Sequence, residues 1–172
     1  VIRAYAPKLA AWGFDLIELP VESRDDWDAA EIRAVLDTHG LKAAVCATMP
    51  KPRSLATADP HAVLGTQGYL RACIDKAAAV GAEVVAGPVY DWTGNTGFID
   101  PAARDELLAR LARNLRPVLD HAEAAGVRLA VEPLKRFETS LFNTVEQTME
   151  LITAVDHRSL GVLLDTFHMN IE

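Results

Sequence analysis

The chain has 172 residues, enough for one domain with a real core, and half of them are apolar with about a quarter charged. Twenty-four acidic against 17 basic residues leave a net charge of -7, which excludes the clustered cationic surface that nucleic acids and anionic membranes demand. Two cysteines, Cys46 and Cys73, have neither disulfide-framework nor zinc-finger spacing, and no apolar run is long enough to span a bilayer, so a cytoplasmic protein is expected.

Strand and helix alternate along the chain with little between them. Residues 2–12 carry apolar side chains at helical spacing and stop before Gly13; residues 15–20 follow as a short strand closed by Pro20. Residues 28–39 suit a helix with Ile32, Val35 and Leu36 on one face and Gly40 behind it, and residues 41–47 form the next strand. A long helix is expected over 60–80, with Val63, Leu64, Leu70, Ile74 and Ala77 on its buried face and Gly81 at its end. Residues 83–87 make a third strand and 88–100 a turn-rich loop. Asp100 and Pro101 then open a helix that runs to about residue 125, with Leu107, Leu108, Leu111, Leu115 and Leu119 as its stripe and Pro117 as a point of kinking. A fourth strand at 127–131, a helix at 144–155 and a fifth strand at 161–164 complete the series.

Apolar strands separated by amphipathic helices predict a parallel sheet covered by helices, an α/β architecture in a single domain over 1–172. The pattern alone does not separate an open doubly wound sheet from a closed barrel. No glycine-rich dinucleotide fingerprint follows any strand, and Gly94-Asn95-Thr96-Gly97 reads as a turn.

In such folds ligands bind at the carboxyl ends of the strands. Two strands run into acids there: Val127-Arg128-Leu129-Ala130-Val131 into Glu132, and Gly161-Val162-Leu163-Leu164 into Asp165, with His168 three residues on. An acid ending an apolar strand is costly to ionise without a partner, and a divalent cation shared between strand ends would supply one. Each acid alone reads equally well as a loop cap or an ion-pair partner.

The segments Leu129-Ala130-Val131-Glu132-Pro133-Leu134-Lys135-Arg136-Phe137-Glu138-Thr139, Asn143-Thr144 and Leu164-Asp165-Thr166-Phe167-His168-Met169-Asn170 closely resemble the D-tagatose/D-psicose (allulose) 3-epimerase family, within the wider xylose-isomerase-like barrels. Gly13 to Pro20 and Gly87-Pro88-Val89-Tyr90 carry the same likeness. The resemblance implies an incomplete (β/α)8 TIM barrel: five consecutive strand–helix steps with the first and last strands absent. It further implies a homo-oligomeric, metal-dependent enzyme that inverts C3 of a free ketohexose through a metal-stabilised enediolate, with carboxylates as acid and base and Mn2+, Co2+ or Mg2+ as cofactor. Glu132 then matches a metal ligand that is also an acid/base carboxylate, and Asp165 a second ligand. Glu138 and His168 match residues that hold the sugar's oxygens, and Trp92 an aromatic wall of the pocket. Lys135 departs from the pattern, since relatives commonly carry Asn there.

The family's remaining two ligands, a His and a Glu, have no counterpart among these residues, so the 172 residues read as a fragment, and with only half the metal's cage little activity is expected of them alone. Alternatives within the superfamily are a sugar-phosphate epimerase and a hydroxypyruvate isomerase. Outside that chemistry stand an endonuclease-IV-type barrel and a non-catalytic barrel fragment.

Overall fold

A computed structural model describes all of residues 1–172. Its elements are α1 (Ile2–Ala11), β1 (Leu16–Val21), α2 (Ala29–His39), β2 (Lys42–Ala47), α3 (Pro60–Val80), β3 (Val84–Gly87), a 3-10 turn (Pro101–Ala103), α4 (Arg104–Ala124), β4 (Arg128–Val131), α5 (Val145–Val155), β5 (Leu160–Val162) and the short α6 (Thr166–Met169). Local chemistry explains their limits. Asp28 caps α2 by accepting from the Glu31 amide, Asp59 caps α3, and Gly40 and Gly81 end those helices in the left-handed conformation that L side chains resist. Thr144 and Gln147 form a reciprocal capping box at the start of α5.

The five strands pair in parallel in the order β1-β2-β3-β4-β5. A doubly wound sheet reverses direction at a switch point; this one never does. Right-handed crossovers that always step the same way lay successive helices side by side on one face, and each of α1 to α5 packs against the next. That is the winding of a barrel wall, and it resolves the ambiguity left by the sequence pattern. One apolar cluster, which includes Val45, Val85, Leu129, Ile74, Leu115 and Leu151, fills the layer between sheet and helices.

Three expectations shift in detail. Leu64 stands 65% exposed, outside the buried face of α3, whereas Leu70, Ile74 and Ala77 are buried. Pro117 lies within an unbroken α4. The fifth strand ends at Val162, earlier than Leu164, although Leu163 still donates to the Val131 carbonyl (2.9 Å). The chain beyond it turns early because Asp165 caps α6, its Oδ1 accepting from the Phe167 amide at 2.7 Å.

Candidate metal centre and sugar pocket

The register places Val21, Ala47, Gly87, Val131 and Val162 along one carboxyl-end rim. Glu132 leaves β4 at that rim. Its amide donates to the Gly87 carbonyl (3.0 Å), and the buried Tyr90 hydroxyl donates to its own carbonyl (3.2 Å), so two bonds from the β3 end fix its backbone. Asp165 and His168 reach the same place from beyond β5. One potential ligand atom from each of Glu132, Asp165 and His168 lies within 4.8 Å of the others. His168 Nε2 stands 3.7 Å from both Glu132 Oε1 and Asp165 Oδ2.

The ring nitrogens of His168 are not equivalent. Nδ1 accepts the Lys135 amide at 3.2 Å, so in the neutral ring the proton sits on Nε2, which faces the two carboxylates. That makes Nε2 a donor toward an oxygen, and leaves Glu132 and Asp165 as the acceptors that could hold a cation. The bland role anticipated for Asp165, a loop cap, is real but uses only Oδ1 and leaves Oδ2 free for the site.

Electrostatics disfavour the ionised form of Glu132. Burial pushes the Glu132 carboxyl up to about 7, and Asp165, then Glu18 and Glu138, add repulsion in the same direction. Oxygen donors of like charge, partly buried and converging, form the donor set that suits a divalent cation, so the residues present fit one.

Beside these groups lies an open cavity of about 440 Å³ lined by Glu22, Cys46, Thr93, Glu132, Leu134 and Glu138, among others. Glu138 is held in it by main chain: Gly94 donates to its carbonyl (2.7 Å), Ser140 donates to the Asn95 carbonyl (3.0 Å), and its carboxylate takes the Lys135 ammonium. Trp92 is not among the lining residues of this cavity. It faces an adjoining one of similar size, with the Lys51 ammonium 4.9 Å from its ring centroid, while its neighbour Thr93 lines the Glu132 side. Burial pushes the Cys46 thiol up to about 11, which disfavours the thiolate that nucleophilic attack requires.

Sequence reasoning passed over several contributors. Glu22 follows β1 as Glu132 follows β4, and the strand-end rule that found one would have found the other. Tyr90 and Gly87 support Glu132 through backbone bonds, for which the linear sequence carries no signal.

A single-wound parallel wall with a carboxylate cluster at its carboxyl rim defines a barrel-type α/β protein with a metal-ready site. The profile of the xylose isomerase-like TIM barrel family matches residues 6–172, and the chain belongs to that family. Among curated relatives it is 33% identical over 161 residues to a probable ketose 3-epimerase of Synechocystis sp., covering 94% of this chain and 55% of the relative. It is 30% identical to the ketose 3-epimerase of Arthrobacter globiformis, covering 99% and 58%. The crystal structure of D-allulose 3-epimerase from Methylomonas sp. superposes with a TM-score of 0.90 at 27% identity, covering 99% of this chain and 59% of that one. The D-psicose 3-epimerase from Clostridium cellulolyticum H10, solved with D-tagatose, gives 0.89 at 27% identity, with 99% and 60% covered. The chain thus spans somewhat more than half the length of the relatives it matches. No helix in it is long and apolar enough to cross a membrane.

Proposed function

We propose that these residues form part of a ketose 3-epimerase acting on a free ketohexose, with Glu132 and Asp165 as protein ligands of a divalent cation. The observation that carries the reading is the convergence of Glu132, Asp165 and His168 beside a polar cavity of sugar size.

The hydrogen on C3 of a ketose is weakly acidic because the neighbouring C2 carbonyl delocalises the charge left behind. A divalent cation held by Glu132 and Asp165, Mn2+, Co2+ or Mg2+, would supply Lewis acidity toward the sugar's oxygens. Glu132, at the carboxyl rim beside the cavity, moves a proton at C3 on one face of the carbon. Inversion needs a second acid on the opposite face, expected from outside these residues. His168 Nε2–H donates to a sugar oxygen, and Glu138 accepts from a hydroxyl. Trp92 acts as an aromatic wall approached from the adjoining cavity.

The lining supports an uncharged sugar. Glu22, Glu132 and Glu138 line the cavity, and the Lys135 ammonium is already paired with Glu138, so an anionic group beside these carboxylates is disfavoured. This favours a free ketose over the sugar-phosphate alternative. The test is turnover of D-psicose, D-fructose and their 6-phosphates by the natural chain carrying these residues, stripped of metal and then reloaded with Mn2+, Co2+ or Mg2+. Epimerisation of a free ketohexose that returns with metal is the expected result. Turnover confined to phosphorylated sugars, or none with any metal, would overturn the proposal.

A further inference from the structure

We propose that Lys135 is a positioning residue that locks the two sugar-facing side chains of the site, Glu138 through its ammonium and His168 through its amide. The inference rests on the roles proposed above for those two residues.

The geometry is unusual for a lysine. Its side chain is only 14% exposed, its ammonium contacts Glu138 Oε1, and it stands 4.7 Å from the centroid of the Phe167 ring. Its backbone N–H donates to His168 Nδ1, and its carbonyl accepts the Glu138 amide at 2.8 Å. One residue therefore grips Glu138 at both backbone and carboxylate, and sets which nitrogen of His168 carries the proton.

The ammonium is needed because of what surrounds Glu138. Glu138 lines one cavity with Glu22 and Glu132, and its charge is among those that push Glu132 up. The like charges of Glu132 and Glu138 drive each other toward solvent, and Glu138, with its side chain about a third exposed, has room to leave. Lys135 opposes that escape with a charge-assisted bond in a partly buried setting, where such bonds are strongest. Only Oε1 is engaged by the ammonium, so Oε2 stays available to accept from a sugar hydroxyl. The cation's second contact, the face of Phe167, ties this grip to the segment that carries Asp165 and His168. Removing the ammonium from this chain would leave the Glu138 carboxylate with only its main-chain tethers and make the pocket more negative.

The test compares Lys135→Met and Lys135→Arg in the natural chain, with Glu138→Gln as a second background. With D-psicose as substrate and saturating Mn2+, Lys135→Met is expected to raise KM about tenfold, with a smaller fall in kcat, because the loss is of substrate positioning and not of the proton-moving group. Lys135→Arg restores most of KM. Urea unfolding midpoints supply a readout that does not depend on turnover: Lys135→Met lowers the midpoint when Glu138 is present and has little effect beside Glu138→Gln. Equal shifts in both backgrounds, or an unchanged KM in an active enzyme, would overturn the role of Lys135. A parent that turns over no ketose yet shows the unfolding coupling supports the grip on Glu138 and instead overturns the epimerase reading.

Discussion

Glu132 and Asp91 are both partly or wholly buried carboxylates, and their surroundings separate a group proposed for the chemistry from a structural one. Glu132 faces other donors at the rim and is raised by burial together with its neighbours' charge. Glu132→Gln keeps the shape and removes the charge; kcat toward a free ketohexose should fall about a hundredfold or more, the scale of a lost acid/base group. An unchanged kcat in that variant would remove Glu132 from the chemistry. Asp91 is only 2% exposed, with Asn95 donating to Oδ2 (2.7 Å) and no hydrogen-bond partner within reach of Oδ1. Burial pushes its carboxyl above the usual range, against weaker lowering by Ser54 and Asn95. The folded protein thus binds the Asp91 proton more tightly than the unfolded chain does. Stability from this group is present in acid and is lost as pH rises through the folded pKa. Asp91→Asn keeps an acceptor for Asn95 and removes the charge, so it should stabilise by about 1 kcal/mol at pH 7. The gain should vanish below about pH 4, where the carboxyl is protonated in both states. Thermal melts at the two pH values check the sign.

At the scale of elements, the bonds that aim the site come from strand ends. Gly87 closes β3 with φ of 130°, and a Cβ there would sit 2.7 Å from the Ala47 carbonyl oxygen of β2, a backbone atom with little freedom to move. Its own carbonyl receives the Glu132 amide. Gly87→Ala should therefore cost about 2 kcal/mol or more, through a disfavoured φ and a backbone clash, and should weaken divalent-cation binding as Glu132 is displaced. Denaturant unfolding and metal titration read the two effects separately. These elements were largely legible in advance. Helix α3 falls on residues 60–80 as expected, because Asp59, Pro60 and Gly81 are local signals whose chemistry acts within a few residues. Leu64 was misplaced because the apolar stripe of α3 is wider than the face that meets the sheet. Barrel winding was legible only through the family resemblance, since strand order is a long-range property that periodicity does not encode. Glu132, Asp165 and His168 were legible as strand-end polar residues. The supports from Tyr90 and Gly87, and the second grip of Lys135 on His168, depend on backbone proximity across more than thirty residues.

On the scale of the whole molecule, the 172 residues form a wall with two open edges. β1 pairs only with β2 and β5 only with β4, so each presents unpaired amides and carbonyls on its outer side. Apolar side chains lie exposed near both: Tyr5, Phe14 and Leu16 by β1, and Leu164 and Phe167 beyond β5. In a closed barrel these edges would pair with further strands, and a bare edge beside apolar surface is a template for association. The net charge of -7 works against that contact, but surface charges repel weakly once separated by more than about 8 Å at physiological ionic strength. Hydrogen-bonded edges approach far closer than that, so association should win. A polypeptide of only these residues is expected to self-associate at micromolar concentration, and the more so as salt screens its charge. Light scattering across a dilution and salt series measures both trends. A monomer at all concentrations would mean that β1 and β5 need no partner, and that the winding seen here is a stable open sheet in its own right.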